Sequence, residues 1–183
     1  MRKVTAGLFH SIDGVVEAPN EWQFDQFDDE LGQIFGGVLG KTDAVILGRV
    51  GYEAWYKDFG QGPGDPYFGP FINGTPKYVA SRTLKGKLAW QNATLIEGDL
   101  DAFVRDLKNQ DGKDIAVMGG ISIVRHLFLA GLIDELMLIT HPVIAGAGRR
   151  HLFEPGDATT RLSLLDTIRT SSGNVVSTYS LKT

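Results

Sequence analysis

The chain has no cysteine in its 183 residues. That excludes a disulfide framework, a thiolate nucleophile and any cysteine-based metal centre, and a reducing, cytoplasmic setting is the simplest expectation. It also lacks a strong charge of either sign. Eighteen Lys and Arg stand against 22 Asp and Glu, a formal charge of -4, and no long basic run is present to neutralise a nucleic-acid backbone. Long apolar runs are missing too. The opening MRKVTAGLFHSIDG is interrupted by His10 and Asp13 too early for a signal peptide, and nothing later approaches a membrane span, so a soluble protein is expected.

Several catalytic signatures are absent as well. There is no GxSxG elbow, no Walker sequence and no HExxH, which removes the common hydrolase, nucleotide triphosphatase and zinc-protease readings. The four histidines, at 10, 126, 141 and 151, show no close ligand spacing, and no metal site is expected. His126 falls within a helical pattern and reads as structural. No GxGxxG follows the first strand, so any dinucleotide is held by a scheme other than the Rossmann one.

What is present is organised around Asp114 to Gly131, DIAVMGGISIVRHLFLAG. It reads as an apolar strand, a turn at Gly119 and Gly120, and an amphipathic helix. A glycine pair there lets backbone approach a ligand closely, and the first free N–H groups of the helix favour an anion. The same pair also serves to pack a helix tightly on a sheet.

Other strand ends repeat the theme. Val4 to Phe9 reads as a buried strand leading to Ser11, Ile12, Asp13 and Gly14, either a simple Asp-Gly turn or a ligand edge. Asp43 to Leu47 is a strand followed by Gly48, Arg49, Val50 and Gly51 and a short helix through Trp55. Arg49 suits phosphate oxygens, or an ion pair with a neighbouring acid. Pro76 to Ala80 is a third strand, ending in Ser81, Arg82 and Thr83.

Between these, Phe24 to Leu39 carries apolar residues at helical spacing, with Asp25, Asp28, Asp29 and Glu30 near its start. Phe59 to Gly74, rich in glycine and proline, reads as a loop or pocket cover. Leu88 to Ile96 is expected to add a strand, and Asp99 or Asp101 to cap a helix through Leu107. Leu132 to Thr140 is a further strand. Arg161 to Leu181 holds two runs split by Ser171, Ser172 and Gly173, which predicts an antiparallel hairpin. The sum is a single α/β domain over 1–183, a three-layer α/β/α sandwich with a mostly parallel sheet and an antiparallel C-terminal edge.

SIDG, LGRVGYE, ASRTL, VMGGISIV, GLIDEL and HPVIAGAGRRHLF, in that order, resemble the dihydrofolate reductase-like superfamily. The chain is most similar to the reductase domain of the bifunctional riboflavin-biosynthesis deaminase-reductase and its stand-alone relatives. The resemblance implies NADPH across the sheet's carboxyl edge. Its pyrophosphate would lie near Gly48, Arg49, Gly119, Gly120, Ile121 and Ser122, and its 2'-phosphate near Ser81 and Arg82. Asp13 takes the acidic position beside nicotinamide and substrate; hydride delivery also needs a proton, from a positioned acid or a bound water, and Asp13 is the expected catalytic residue. A homodimer is implied.

This sequence departs from the family pattern GRxTYE at Gly51, where a threonine is usual. The loss of a hydroxyl there is expected to weaken a cap or a phosphate contact. No basic cluster for a ribose-phosphate substrate is evident, and none of Asp25, Asp28 and Asp29 is singled out as a pterin-facing carboxylate. The expected activity is an NADPH-dependent reductase of a pyrimidine- or pterin-like heterocycle. A nucleotide- or flavin-binding protein without efficient turnover, or a structural dimer module with a vestigial pocket, are the alternatives.

Overall fold

A computed structural model describes residues 1–62 and 64–182. Its frame is an eight-stranded sheet: β1 (Val4–Ser11), β2 (Thr42–Gly48), β3 (Lys77–Ala80), β4 (Ala93–Leu95), β5 (Asp114–Met118), β6 (Glu135–His141), β7 (Leu162–Arg169) and β8 (Val175–Leu181). The strand order is β4-β3-β2-β5-β1-β6-β8-β7. Pairings from β4 through β6 are parallel, and β8 runs antiparallel to both β6 and β7. The apolar runs of β1, β2 and β5 thus lie at the centre, where both faces can be covered.

Among the described residues five α-helices flank the sheet: α1 (Asp29–Gly40), α2 (Arg49–Trp55), α3 (Phe68–Gly74), α4 (Leu100–Lys108) and α5 (Ile121–Leu129). One face is a continuous core in which Val104 and Leu107 of α4 and Val124, Leu127 and Phe128 of α5 bury against Val4, Ala6, Ile46, Ile115, Val117 and Leu136. Each Val, Leu, Ile or Phe among them contributes roughly 1.5–3 kcal/mol when fully buried. The other face carries two separate clusters. Tyr52 and Ile72 pack with Val45, Leu47 and Val79 over β2 and β3. Leu31 of α1 packs with Ile139 and Val176 over β6 and β8. This arrangement is the expected three-layer sandwich.

The structure corrects three expectations. The helix placed at Phe24 begins at Asp29, because Phe24 takes a left-handed φ of 48° and Asp28 is the extended N-cap, accepting from the Leu31 N–H at 2.7 Å. Phe27 packs edge-on against Phe9 from the preceding loop. The glycine- and proline-rich stretch is not all loop. Tyr56–Gly60 continues α2 as a wider helical turn, and Asp65 caps α3 by accepting from Tyr67 and Phe68 N–H at 2.9 and 2.7 Å; Pro63 lies outside the described residues. The strand expected at Leu88 to Ile96 shrinks to Ala93–Leu95, since Leu88 and Trp90 turn inward as core. Asp99 does cap α4, accepting from the Ala102 N–H at 2.9 Å.

Candidate functional site

Parallel register fixes which strand ends are neighbours. Gly48 pairs with Ala80, Leu47 with Met118, and β5 with β1, so the exits of β3, β2, β5 and β1 stand side by side at one carboxyl edge. The three gaps between those four strands span about 14 Å. Ser81 and Arg82, then Gly48 and Arg49, then Gly119 and Gly120, then Asp13, follow one another along it.

At its middle the β2–α2 and β5–α5 turns touch. A Cβ built on Gly48 would lie 3.6 Å from the Gly120 Cα, and one on Gly120 would lie 3.3 Å from the Gly48 amide nitrogen. Gly119 has φ +59°. Gly48 and Gly120 are the N-caps of α2 and α5, and neither offers a side-chain cap. The first N–H groups of both helices therefore face the edge without an internal acceptor, a cradle suited to anionic oxygen. Gly51 belongs to this corner. It is buried, and its missing Cβ is what lets α2 lie against the carbonyl of Gly119. The loss of the family's threonine there is a packing requirement of this chain.

Around the corner, Arg49 donates to Glu53 at 2.7 Å, the surface ion pair weighed against a phosphate role. The Ser81 hydroxyl accepts from Thr83 and Leu84 N–H at 3.1 and 2.9 Å and so closes the turn on which exposed Arg82 is carried. Ser122, in the first turn of α5, accepts from Arg150 at 3.0 Å. Arg150 is a cation the sequence did not single out, brought in from the segment after β6.

Asp13 stands at the exit of β1. Its carboxylate accepts from the Ser11 hydroxyl at 2.6 Å and from Ala145 and Gly146 N–H at 2.9 Å each. Those donors, Ser11 first, pull its pKa down to about 2, so it stays ionised at neutral pH. A carboxylate so held is a poor proton donor. It instead ties the 142–148 segment to β1, a link extended by Ile12 N–H to the Val143 carbonyl at 2.8 Å and Val16 N–H to the Arg150 carbonyl at 3.0 Å.

Under that link lies a cavity of about 240 Å³ lined by His10, Asp13, Gly14, Leu138, His151 and Phe153. The His10 Nδ1 lies 3.2 Å from the Thr140 hydroxyl. Burial lowers the His10 pKa, the neighbouring His151 lowers it further, and Asp13 opposes both. No local spacing pairs residues 10 and 151; only the fold brings them together.

Two of the acids near α1 are also accounted for. Asp28 caps the helix and contacts Ser172, and Glu30 accepts from the Ser171 N–H and hydroxyl at 2.5 and 2.6 Å. Both are committed to the β7–β8 turn. Next to them the sheet is open. Gly7, in the middle of β1, is exposed, and its missing Cβ would meet nothing within 4 Å. It lies between the α1 cluster and the α2–α3 cluster, which leave a cleft over the central strand.

The sequence profile of the family described as the RibD C-terminal domain matches residues 2–176. The protein YyaP of Bacillus subtilis (strain 168) is 30% identical over 182 residues, covering 97% of this chain and 94% of its own length. A pyrimidine reductase-like protein from Corynebacterium diphtheriae has a similar structure, with a TM-score of 0.72 at 16% identity over 100% of this chain and 92% of that one. So does a dihydrofolate reductase from Enterococcus faecalis complexed with NADP(H), with a TM-score of 0.62 at 12% identity over 99% and 97% of the two chains. The two structures share the fold of this chain.

Proposed function

Because the chain belongs to the RibD C-terminal domain family, we propose that it is an NADPH-dependent reductase of a pyrimidine- or pterin-like heterocycle. One observation carries the reading: three neighbouring strand exits, each with glycine or arginine, form a continuous edge beside an open cleft on the central strand.

The residues present fit the cofactor. At Gly120 a Cβ would crowd Ile123 and come within 3.3 Å of the Gly48 amide nitrogen, and two uncapped helix starts meet there. Gly119, Gly120, Ile121 and Ser122 of the α5 turn and Gly48 and Arg49 of the α2 turn would hold the pyrophosphate. Ser81 and Arg82 would hold the 2'-phosphate, which calls for a charge-assisted partner. When bound, NADPH supplies the hydride. The protein holds the rings face to face and shuts the β1 exit with the 142–148 segment that Asp13 anchors. Asp13 acts as a fixed charge, leaving the proton to water at the open edge.

A second reading, a nucleotide- or flavin-binding protein without efficient turnover, is favoured by the fully engaged Asp13 carboxylate. The proposal extends to a homodimer joined along the edge strand β7, supported by the exposed Leu164, Leu165 and Ile168 and checked by light scattering.

The test is a thermal melt with NADPH and with NADH, followed by NADPH oxidation with dihydrofolate and with the riboflavin-pathway pyrimidinone. A larger shift with NADPH and turnover of one ring is expected. A shift without turnover of any ring selects the second reading, and no shift near millimolar nucleotide removes both.

A further inference from the structure

On the cleft floor β1 carries no side chain at Gly7. β1 is the fifth of eight strands, and its alternation is clear: Ala6 and Leu8 point into the continuous core, so Thr5, Gly7 and Phe9 point to the other face. A central strand of a parallel sheet is normally covered there by a helix. Instead Gly7 is exposed between two clusters that do not join. Its register partner on β6 is Met137, and on its other side Met118 ends β5 one residue beyond the Ala6–Val117 pair. Phe9 follows on the same strand face, its ring 5.4 Å from that of Phe35.

Glycine is a poor choice for a strand interior unless something must approach the backbone. Packing does not require it, since a Cβ would touch nothing, and φ does not require it, since Gly7 is absent from the positive-φ positions. The space the missing side chain leaves is a flat slot bounded by a peptide plane, two methionines and a phenylalanine. Thioether and aromatic walls suit the face and edge of a ring, and nothing in this floor carries a charge.

We propose that Gly7 is the specificity-determining residue of the cleft, admitting a flat, uncharged, unphosphorylated aromatic heterocycle that lies directly on the β1 backbone. The inference rests on the reductase reading for what the ring is there to accept, but the slot itself does not depend on it.

The test compares the wild type with Gly7→Ala and Gly7→Val, using lumazine and lumichrome as probes and following ligand fluorescence. Valine favours strands and its Cβ would meet nothing within 4 Å, so Gly7→Val is expected to melt at or above the wild-type temperature. It should retain the NADPH-induced shift while losing at least about tenfold in probe affinity, with Gly7→Ala in between. Equal probe affinity in wild type and Gly7→Val overturns the proposal, and so does failure of both probes to bind the wild type. Should Gly7→Val fail to fold, the open space has been misjudged and the loss of affinity must appear in Gly7→Ala for the proposal to stand. A Gly7-dependent loss without any NADPH shift in the wild type would leave the slot standing and sink the reductase reading alone.

Discussion

Gly51 and Gly119 meet backbone to backbone: a Cβ on Gly51 would lie 1.7 Å from the Gly119 carbonyl oxygen and 2.7 Å from its Cα. The obstacle is main chain at the strand-to-helix turn, which cannot rotate away as a side chain tip could. Gly51→Ala and Gly51→Thr are therefore expected to destabilise the fold by about 1–3 kcal/mol or more, as overpacked interiors do. Thr, although usual in the family, should be the worse of the two and should weaken the NADPH shift by prising the two turns apart. Urea unfolding checks this, and a Gly51→Thr protein as stable as the wild type would contradict the contact.

The relationship also shows what a sequence can and cannot carry. Gly48, Gly119 and Gly120 were legible because glycine after an apolar strand is a local signal, and α4 was legible because Asp99, Leu100, Val104 and Leu107 agree in cap and period. Gly51, taken alone, signals only a lost hydroxyl, because the backbone it packs against is 68 positions away, at Gly119. α3 stayed hidden because Gly69, Pro70 and Gly74 are weak helix formers, and its cap, Asp65, supports a helix that tertiary burial of Ile72 holds in place. Phe24 and Phe27 keep helical spacing yet belong to a loop: Phe24 is exposed, and Phe27 packs on Phe9 of β1, a contact that the period cannot tell from a helix face. The pairing of His10 with His151 and the opening over Gly7 depend on how the loops and helices sit on the sheet, which no local pattern records.

The Asp13 carboxylate gives an acid-stability prediction. Its folded pKa, about 2, lies below the ordinary 3.8, so its stabilising contribution is present above 3.8 and is lost as pH falls toward 2. Asp13→Asn removes the charge that the Ser11, Ala145 and Gly146 donors favour. Thermal melts across that window should show a steeper acid limb for the wild type than for Asp13→Asn. Parallel limbs would mean that the link to the 142–148 segment carries no such charge dependence.

Arg82 tests the nucleotide orientation. It is exposed at the end of β3, outermost of the four neighbouring exits, where only the 2'-phosphate end of NADPH would reach. Hydrogen bonds to charged groups are worth about 1.5–3 kcal/mol, so Arg82→Ala should narrow the NADPH-over-NADH affinity ratio by roughly tenfold or more. Titrations with both nucleotides measure it. An unchanged ratio would remove Arg82 from the 2'-phosphate role without touching the fold.

Lys77 is a strand residue with no exposed surface. Its ammonium donates to the Ile72 and Thr75 carbonyls at 2.7 and 3.0 Å and sits 4.7 Å from the Trp90 ring centre. It thereby closes the C-terminal end of α3, where carbonyls lack helical partners. Burial lowers its pKa from 10.5 to about 8. Between those values the folded chain has released a proton that the unfolded chain still holds, so this group's contribution to stability rises with pH across the window and is flat below it. Lys77→Met keeps much of the volume but strands the two carbonyls, a cost of about 1–3 kcal/mol, and should abolish the rise. Urea midpoints of the two proteins, taken below and above pH 8, separate the effects. A wild-type curve that falls through this window at the same slope as Lys77→Met would show that the buried amine keeps its charge, its two carbonyls and the Trp90 face outweighing the loss of water.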